Sequence, residues 1–295
     1  VKRIEDKVAY LQAQTAKIGD SCKPFEVGAP LFTLKSVKFS VKDRGILKDI
    51  SLEIPKGGRT VFLGENGCGK TTLLRIVNGL ACHFYRGRLE GDVSVSGMAP
   101  ASASLPELAR VVGSVFQNPR TQFFHTDTTG ELAFQLENQN MPREQMRRRL
   151  DQVVSELRLE ALMDRSIFAL SGGEKQQIAC GSVYASMPRV VVLDEPSSNL
   201  DLESIRKLQG LLETMKASGV TILVSEHRLW YLHGLADRYL LLENGKLRGD
   251  LAPVQMTALD SQARQAIGLR AANRRQLFSL CPQAQLVEQR EPGLE

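Results

Sequence analysis

A chain of 295 residues, 42% hydrophobic and 24% charged, has the ordinary balance of a soluble globular protein of one large or two small domains. Its net charge of +5 is mild, and the basic clusters at residues 143–149 and 264–275, solvated helix faces or contacts with a partner or anionic lipid, lack interleaved aromatics, so no nucleic acid is expected as a partner. The cysteines Cys22, Cys68, Cys82, Cys180 and Cys281 are odd in number without a C-x-x-C pair, which argues against a zinc site or disulfide framework and for a reducing compartment.

No apolar run approaches the ~20 residues of a membrane-spanning helix, and no charged-then-apolar signal segment is legible at the start. The chain begins with Val1: a processed form, an unusual start or a fragment of something longer. Residues 1–30 read as an extension. Ile4, Val8, Leu11 and Ile18 fall near helical spacing, Gly19-Asp20 stops that helix, and Cys22 to Pro30 is a linker.

From Leu31 the pattern is β. Leu31 to Val41 and Ile46 to Ile54 alternate in part around a turn at Lys42 to Gly45, and Pro55 to Gly58 is a second turn. Val61-Phe62-Leu63 predicts a strand, and Leu73 to Asn78 a helix after a glycine-rich loop. A β-rich stretch covers Gly91 to Gly97, and Arg110 to Phe116 predicts a buried strand. Helical character takes over from about residue 118 to 170, where Met146, Leu150, Val153, Val154 and Leu157 define one apolar face. The buried runs Val190 to Leu193 and Val220 to Val224 flank a helix carrying Leu208, Leu211, Leu212 and Met215 and stopped by Gly219; Tyr239 to Leu247 predicts a hairpin turning at Asn244-Gly245. Beyond about Asp250 the chain is polar and poorly patterned. The expected fold is α/β with a mostly parallel central sheet and a helical insertion, in a domain of residues 31–249 followed by an extension at 250–295.

Three stretches carry chemistry. Gly64-Glu65-Asn66-Gly67-Cys68-Gly69-Lys70-Thr71-Thr72 satisfies G-x-x-x-x-G-K-[ST] between a strand and a helix. Glycines let the backbone curl N–H groups inward, the helix start adds unsatisfied donors, Lys70 reaches β- and γ-phosphates, and the Thr71 hydroxyl ligates Mg²⁺. Asp194 and Glu195 end the Val190 strand, where Asp194 holds Mg²⁺ through water and Glu195 polarises the attacking water. Ser171-Gly172-Gly173-Glu174 opens a helix and gives a second anion-binding terminus. One ATP needs one strong cradle. Two cradles are reconciled by a dimer in which each nucleotide lies between the loop of one subunit and Ser171 to Gly173 of the other.

With these motifs in this order, the chain resembles the ATP-binding cassette family of transporter ATPases over roughly residues 31–249. The resemblance implies a P-loop NTPase core with an N-terminal antiparallel β subdomain and an inserted α-helical subdomain. It also implies ATP and Mg²⁺ as ligands, ATP hydrolysis, and a second cassette, on the same or a paralogous chain, as dimer partner. Integral membrane transporter subunits on other chains and a peripheral place at the cytoplasmic face of the cell membrane complete the expectation. Gln117 matches the glutamine that senses Mg²⁺ and touches the membrane partner. Asp201, in Ser198-Asn199-Leu200-Asp201, matches the loop that signals across the dimer, and His227 the switch histidine at the γ-phosphate. The stretches from Val115 to Phe124 and Glu131 to Asn138 look like the energy-coupling-factor (ECF) branch, which energises uptake of vitamins or transition metals. Ser197 to Asp201 and Ser225 to Leu229 are similar to the first cassette of its tandem members, and Gly268-Leu269-Arg270 to their inter-cassette linker.

The position of the family's adenine-stacking aromatic falls at Val41 here; either Phe39, on the same strand face, substitutes for it or adenine stacking is weak. Cys68 stands where a serine is common, and its thiol is expected to be reactive if the helix start lowers its pKa. A non-transport cassette acting on a soluble macromolecule is the second reading. The span of about a hundred residues between Lys70 and Ser171, without sustained heptads, weighs against its coiled-coil relatives.

Overall fold

In the computed structural model, which describes residues 30–85 and 87–259, the chain folds into two sheets and eight α-helices among the described residues. Chain order gives β1 (Pro30–Val41), β2 (Arg44–Pro55), β3 (Arg59–Leu63), α1 (Lys70–Val77), α2 (Leu80–His83), β4 (Gly87–Val95), α3 (Leu105–Ala109) and β5 (Val112–Val115). Then follow α4 (Thr128–Asn138), α5 (Arg143–Leu157), α6 (Gly172–Ala185), β6 (Val190–Asp194), α7 (Leu202–Ala217), β7 (Thr221–Ser225), β8 (Arg238–Glu243), β9 (Lys246–Leu251) and α8 (Pro253–Ala258). The helix expected over residues 4–18 and most of the 250–295 extension lie outside the described residues.

The larger sheet has the order β5-β6-β7-β3-β8-β9. Its first five strands pair in parallel and β9 closes antiparallel on β8. Alternate residues face opposite sides, and both sides are dry. Val61, Leu63, Val191, Leu193, Ile222 and Val224 point into one core with residues of α4 to α7. Phe62, Val190, Val192, Leu223 and Leu240 point into the other, with α1 and the three-stranded antiparallel sheet β2-β1-β4. This is the expected mixed α/β fold with its small antiparallel subdomain.

Most deviations from the expected boundaries have local causes. The β-rich stretch placed at 91–97 begins at Gly87, because Gly91 (φ 88°) lies inside β4: a Cβ there would sit 2.5 Å from the carbonyl oxygen of Ser36, and the β1–β4 register shifts between Lys35 and Lys38. Helix α3 was not expected, although Ser104 and Glu107 form a capping box that closes its N-terminus. The insertion holds α4 and α5, and Val153 and Leu157 are buried while Met146, Leu150 and Val154 pack at the margin, as the periodicity requires. The compact fold also continues past residue 249: Leu251, Met256 and Leu259 are buried in the first core. Six residues of α8 are too few to show a helical period.

Cutting the chain after Gly249 therefore removes three buried side chains, each contributing roughly 1.5–3 kcal/mol. The melting temperature is expected to fall by about 10 °C or more, with a smaller loss for Met256→Ala; thermal unfolding followed by circular dichroism checks this.

Candidate functional site

Strands β3, β6 and β7 are adjacent and parallel, so their C-terminal ends open on one edge of the sheet. At the end of β3 the chain turns through Gly64 (φ 141°). A Cβ there would lie 2.2 Å from the carbonyl oxygen of Leu242 and 2.7 Å from Cys68 Sγ, so the position admits only glycine. Gly69, at φ 114°, caps α1 without a side-chain hydrogen bond. The first-turn N–H groups of α1 have no intrahelical acceptor, and they are left facing the loop.

Lys70 is 5% exposed. Its Nζ donates to the carbonyl oxygens of Gly64 (2.8 Å) and Glu65 (3.1 Å), and among the described residues it forms no ion pair. A buried ammonium held only by neutral carbonyls, beside an uncapped helix start, is a positive centre prepared for an anion. The loop borders a cleft of about 660 Å³ that Arg44, Ile46, Lys48, Asn66, Lys70, Thr71, Glu195 and Asn244 help to line. Its volume and cationic bias fit a nucleoside triphosphate.

The Thr71 hydroxyl donates to Asp194 Oδ1 at 3.1 Å, and Thr71, Asp194 and Gln117 border one adjoining cavity. Oxygen donors on two elements, next to the phosphate loop and without any histidine or cysteine cluster among the described residues, suit Mg²⁺, which takes few protein ligands and keeps its waters. Glu195 follows in a left-handed conformation (φ 45°), its N–H donating to the Ser225 carbonyl at 2.8 Å. A non-glycine residue in that region costs free energy, and such strain is concentrated at functional sites. Gln117 Nε2 donates to Glu195 Oε2 at 3.1 Å. His227 Nε2 is buried 3.4 Å from Glu195 Oε1, and among the described residues it has no hydrogen-bond partner. Thus Lys70, Thr71, Gln117, Asp194, Glu195 and His227 converge at one sheet edge.

The phosphate-loop residues Asn66, Gly67, Gly69 and Thr72 line the same cleft, whereas the Ser171–Glu174 segment and Asp201 do not join them. Ser171 Oγ accepts from the Glu174 N–H at 3.2 Å, Glu174 Oε2 accepts from the Ser171 N–H at 2.7 Å, and Glu174 pairs with Arg165. The Ser171 N–H and Arg165 hold the Glu174 carboxyl below its usual range. Ser171 and Gly172 stay exposed, and a Cβ on Gly173 would meet Ser204 Oγ at 2.0 Å, so glycine there lets α6 pack on α7. Asp201 caps α7 through the Ser204 N–H (2.8 Å), which lowers its pKa. Gly172, Ser198, Asn199 and Leu200 border a different cleft, shared with Gln117.

Two expectations are corrected. Phe39 and Val41 do share a face, but it is the face of the second core: Phe39 is 2% exposed, its ring covers Gly87, and neither side chain lines the cleft. Neither is placed to stack on adenine, and among the described residues no aromatic lines that cleft. Cys68 is 6% exposed, and desolvation raises its pKa against the opposing effect of Lys70. Burial prevails over the helix start.

The sequence reading also missed Glu226, whose carboxylate is buried beside His227; an acid flanked by Ser225, His227 and Arg228 reads as solvated. The Asn244-Gly245 turn borders the cleft as well, and a hairpin signal gave no hint of that. At pH 7.5 Cys68 is expected to react with iodoacetamide at least tenfold more slowly than free cysteine, with the rate rising as pH increases towards its raised pKa. Mass-spectrometric counting of the modified residue measures this.

The profile of the ABC transporter family matches residues 47–198. Two curated Treponema denticola proteins, each named a putative ABC transporter ATP-binding protein, are 49% and 42% identical to the chain over 75% and 74% of its length. A Methanosarcina mazei protein of the same name is 36% identical over 78%. The chain spans about half the length of these relatives or less: 46%, 45% and 39%. Among solved structures, cbiO1 from Clostridium perfringens, described as part of the ABC transporter complex cbiONQ, superposes with a TM-score of 0.72, covering 88% of this chain and 100% of that one, at 24% identity; that likeness is one of fold. The phosphate loop, the paired acids and the family match together place this chain in the ABC transporter family, as an ATP-binding cassette.

Proposed function

We propose that this cassette binds and hydrolyses ATP to energise a membrane transporter, and that the transporter is an ECF-type importer of a vitamin or transition-metal ion. The observation that carries the hydrolytic reading is the placement of Glu195, at the mouth of the Lys70 cleft with Gln117 on one carboxylate oxygen and His227 facing the other.

Phosphoryl transfer to water depends on positioning and on stabilising charge on the transferred group. The glycine loop and α1 cradle the β- and γ-phosphates, and Lys70 exchanges its backbone carbonyls for phosphate oxygens. Thr71, Asp194 and Gln117 would hold Mg²⁺. When bound, that ion neutralises developing charge on the phosphates. Glu195 orients the attacking water and accepts its proton, Gln117 fixes the carboxylate, and the His227 imidazole contacts the γ-phosphate. Ser171 to Gly173 and Asp201 lie away from this cleft in the chain itself, so a second cassette supplies them and the site is complete only in the dimer. ATP binding closes that dimer and hydrolysis reopens it.

The membrane-facing part of the proposal rests on the region after Gln117. Phe124 is 74% exposed and stacks on Phe134 at 4.6 Å. With Phe116 and Leu80 they border an apolar groove, suited to a helix from a membrane subunit. Buried Glu131 accepts from the Phe124 and His125 N–H groups at 2.9 and 3.0 Å, tying that loop to α4. No helix among the described residues is long and apolar enough to cross a membrane. The cassette is accordingly proposed as a peripheral subunit at the cytoplasmic face. The ECF assignment is supported by the stretches around Gln117 and Glu131 and by the cbiO1 likeness in fold; the share of its relatives that the chain spans supports the reading as one cassette of a tandem protein.

Glu195→Gln is expected to bind MgATP normally, to hydrolyse it about 10²–10³-fold more slowly, and to accumulate as a closed dimer in size-exclusion chromatography with ATP. Near-normal turnover in a steady-state assay removes Glu195 from the mechanism. Co-purification from membranes with transmembrane chains tests the transporter role, and recovery with soluble partners alone would refute it.

A further inference from the structure

Glu226 follows the last residue of β7 and is 2% exposed. A carboxylate in that position is tolerated only when hydrogen bonds replace its water. Four donors do so. Oε1 accepts from the N–H groups of His227 (2.7 Å) and Arg228 (3.1 Å). Oε2 accepts from the Tyr231 hydroxyl (2.7 Å) and the Ser197 N–H (3.3 Å). Among the described residues Glu226 forms no ion pair, and it lines none of the clefts around the phosphate loop.

These donors come from segments with distinct tasks. His227 and Arg228 form the loop whose imidazole faces Glu195. Ser197 belongs to the segment that runs from Glu195 to Asp201. Tyr231 is fully buried and anchors the carboxylate to the first core. A second strut joins the same two segments: the Arg228 guanidinium donates to the Leu200 carbonyl at 3.1 Å.

We propose that Glu226 is a positioning residue: by binding the backbone on both sides of the nucleotide edge, it holds His227 over Glu195 and makes the His227 loop and the Ser197–Asp201 segment move as one body. The inference rests on the ATP-hydrolysing reading above. Glu226 lies behind the nucleotide edge, lining none of those clefts; it acts through the two backbone segments it joins. A sub-ångström slip of His227, whose Nε2 stands 3.4 Å from Glu195 Oε1, is what its loss would produce.

Glu226→Gln is nearly isosteric but turns an N–H₂ group towards donors. Tyr231→Phe removes a single donor and leaves the core filled. The sole tryptophan of the chain, Trp230, lies edge-on to Tyr231 with ring centroids 6.0 Å apart, so its emission reports on this loop without any added label. In steady-state assays Glu226→Gln is expected to lower kcat about 10- to 100-fold with KM for MgATP within about threefold, and Tyr231→Phe to lower kcat severalfold. The Trp230 emission change caused by MgATP in the wild type is expected to be lost in Glu226→Gln. A Glu226→Gln protein with kcat within twofold of wild type, or one whose defect lies in KM alone, overturns the proposal. If that variant melts early, Tyr231→Phe decides, and unchanged kcat there overturns it too. Wild-type protein without ATP turnover would overturn the hydrolytic reading together with this one, whereas active wild type with indifferent variants overturns this one alone.

Discussion

Everything at the site depends on the register of three parallel strands. Leu193 is opposite Val224 and Asp194 opposite Ser225, while Val61 pairs with Val224 and Phe62 with Ser225. That alignment brings the loop after Leu63, the acids after Leu193 and the loop after Ser225 to one edge, though the first lies well over a hundred residues before the other two in the chain. A slip of one residue would turn Val61, Leu193 and Val224 from one core to the other, so hydrophobic burial on both faces fixes the chemistry at the edge. The Glu195 N–H to Ser225 hydrogen bond extends the ladder past the last paired residue and holds Glu195 in its left-handed conformation.

The edge combines charges that do not neutralise one another in place. Lys70 sits on carbonyls rather than on a carboxylate, and Asp194 and Glu195 engage a hydroxyl and an amide instead of a cation. Pairing Lys70 with an acid would satisfy its charge and close the phosphate site. Leaving it unpaired costs folding free energy, and an anionic ligand offsets that cost on binding. Buried carboxylates away from the edge serve another purpose. Glu131 and Glu226 gather backbone N–H groups of the loops beginning at Phe124 and His227, giving irregular segments the definition that a strand or helix would otherwise provide.

Much of this was legible in the sequence. Val190 to Leu193 is uniformly apolar and Val220 to Val224 is interrupted only by Thr221, too apolar for a strand with a wet face, and the glycine spacing before Lys70 has few other uses. What escaped depends on contacts across the chain. On β1 the register shifts on both sides of Phe39, and its alternation does not say which face the cleft lies on. For Cys68, an argument from the helix start omitted the desolvation supplied by the surrounding core. Glu226 occurs in a polar string, and only the fold reveals that Tyr231 and Ser197 meet its carboxylate.

The two glycine-containing helix starts also prove unequal, which bears on how the cassette would be controlled. Gly69 leaves the start of α1 uncapped, whereas Ser171 and Glu174 cap α6 reciprocally. The capping box uses the Ser171 hydroxyl and the Glu174 N–H, and the Glu174 carboxylate adds negative charge close to that terminus. The start of α6 is therefore a weaker anion site than the loop at Lys70, and it would gain most from an anion already bound elsewhere. In the proposed dimer this ordering would have a direct consequence: nucleotide would occupy the Lys70 loop first, and its γ-phosphate would then supply the charge that draws in the second cassette. Each cassette would be able to bind ATP alone, while hydrolysis would wait for the partner.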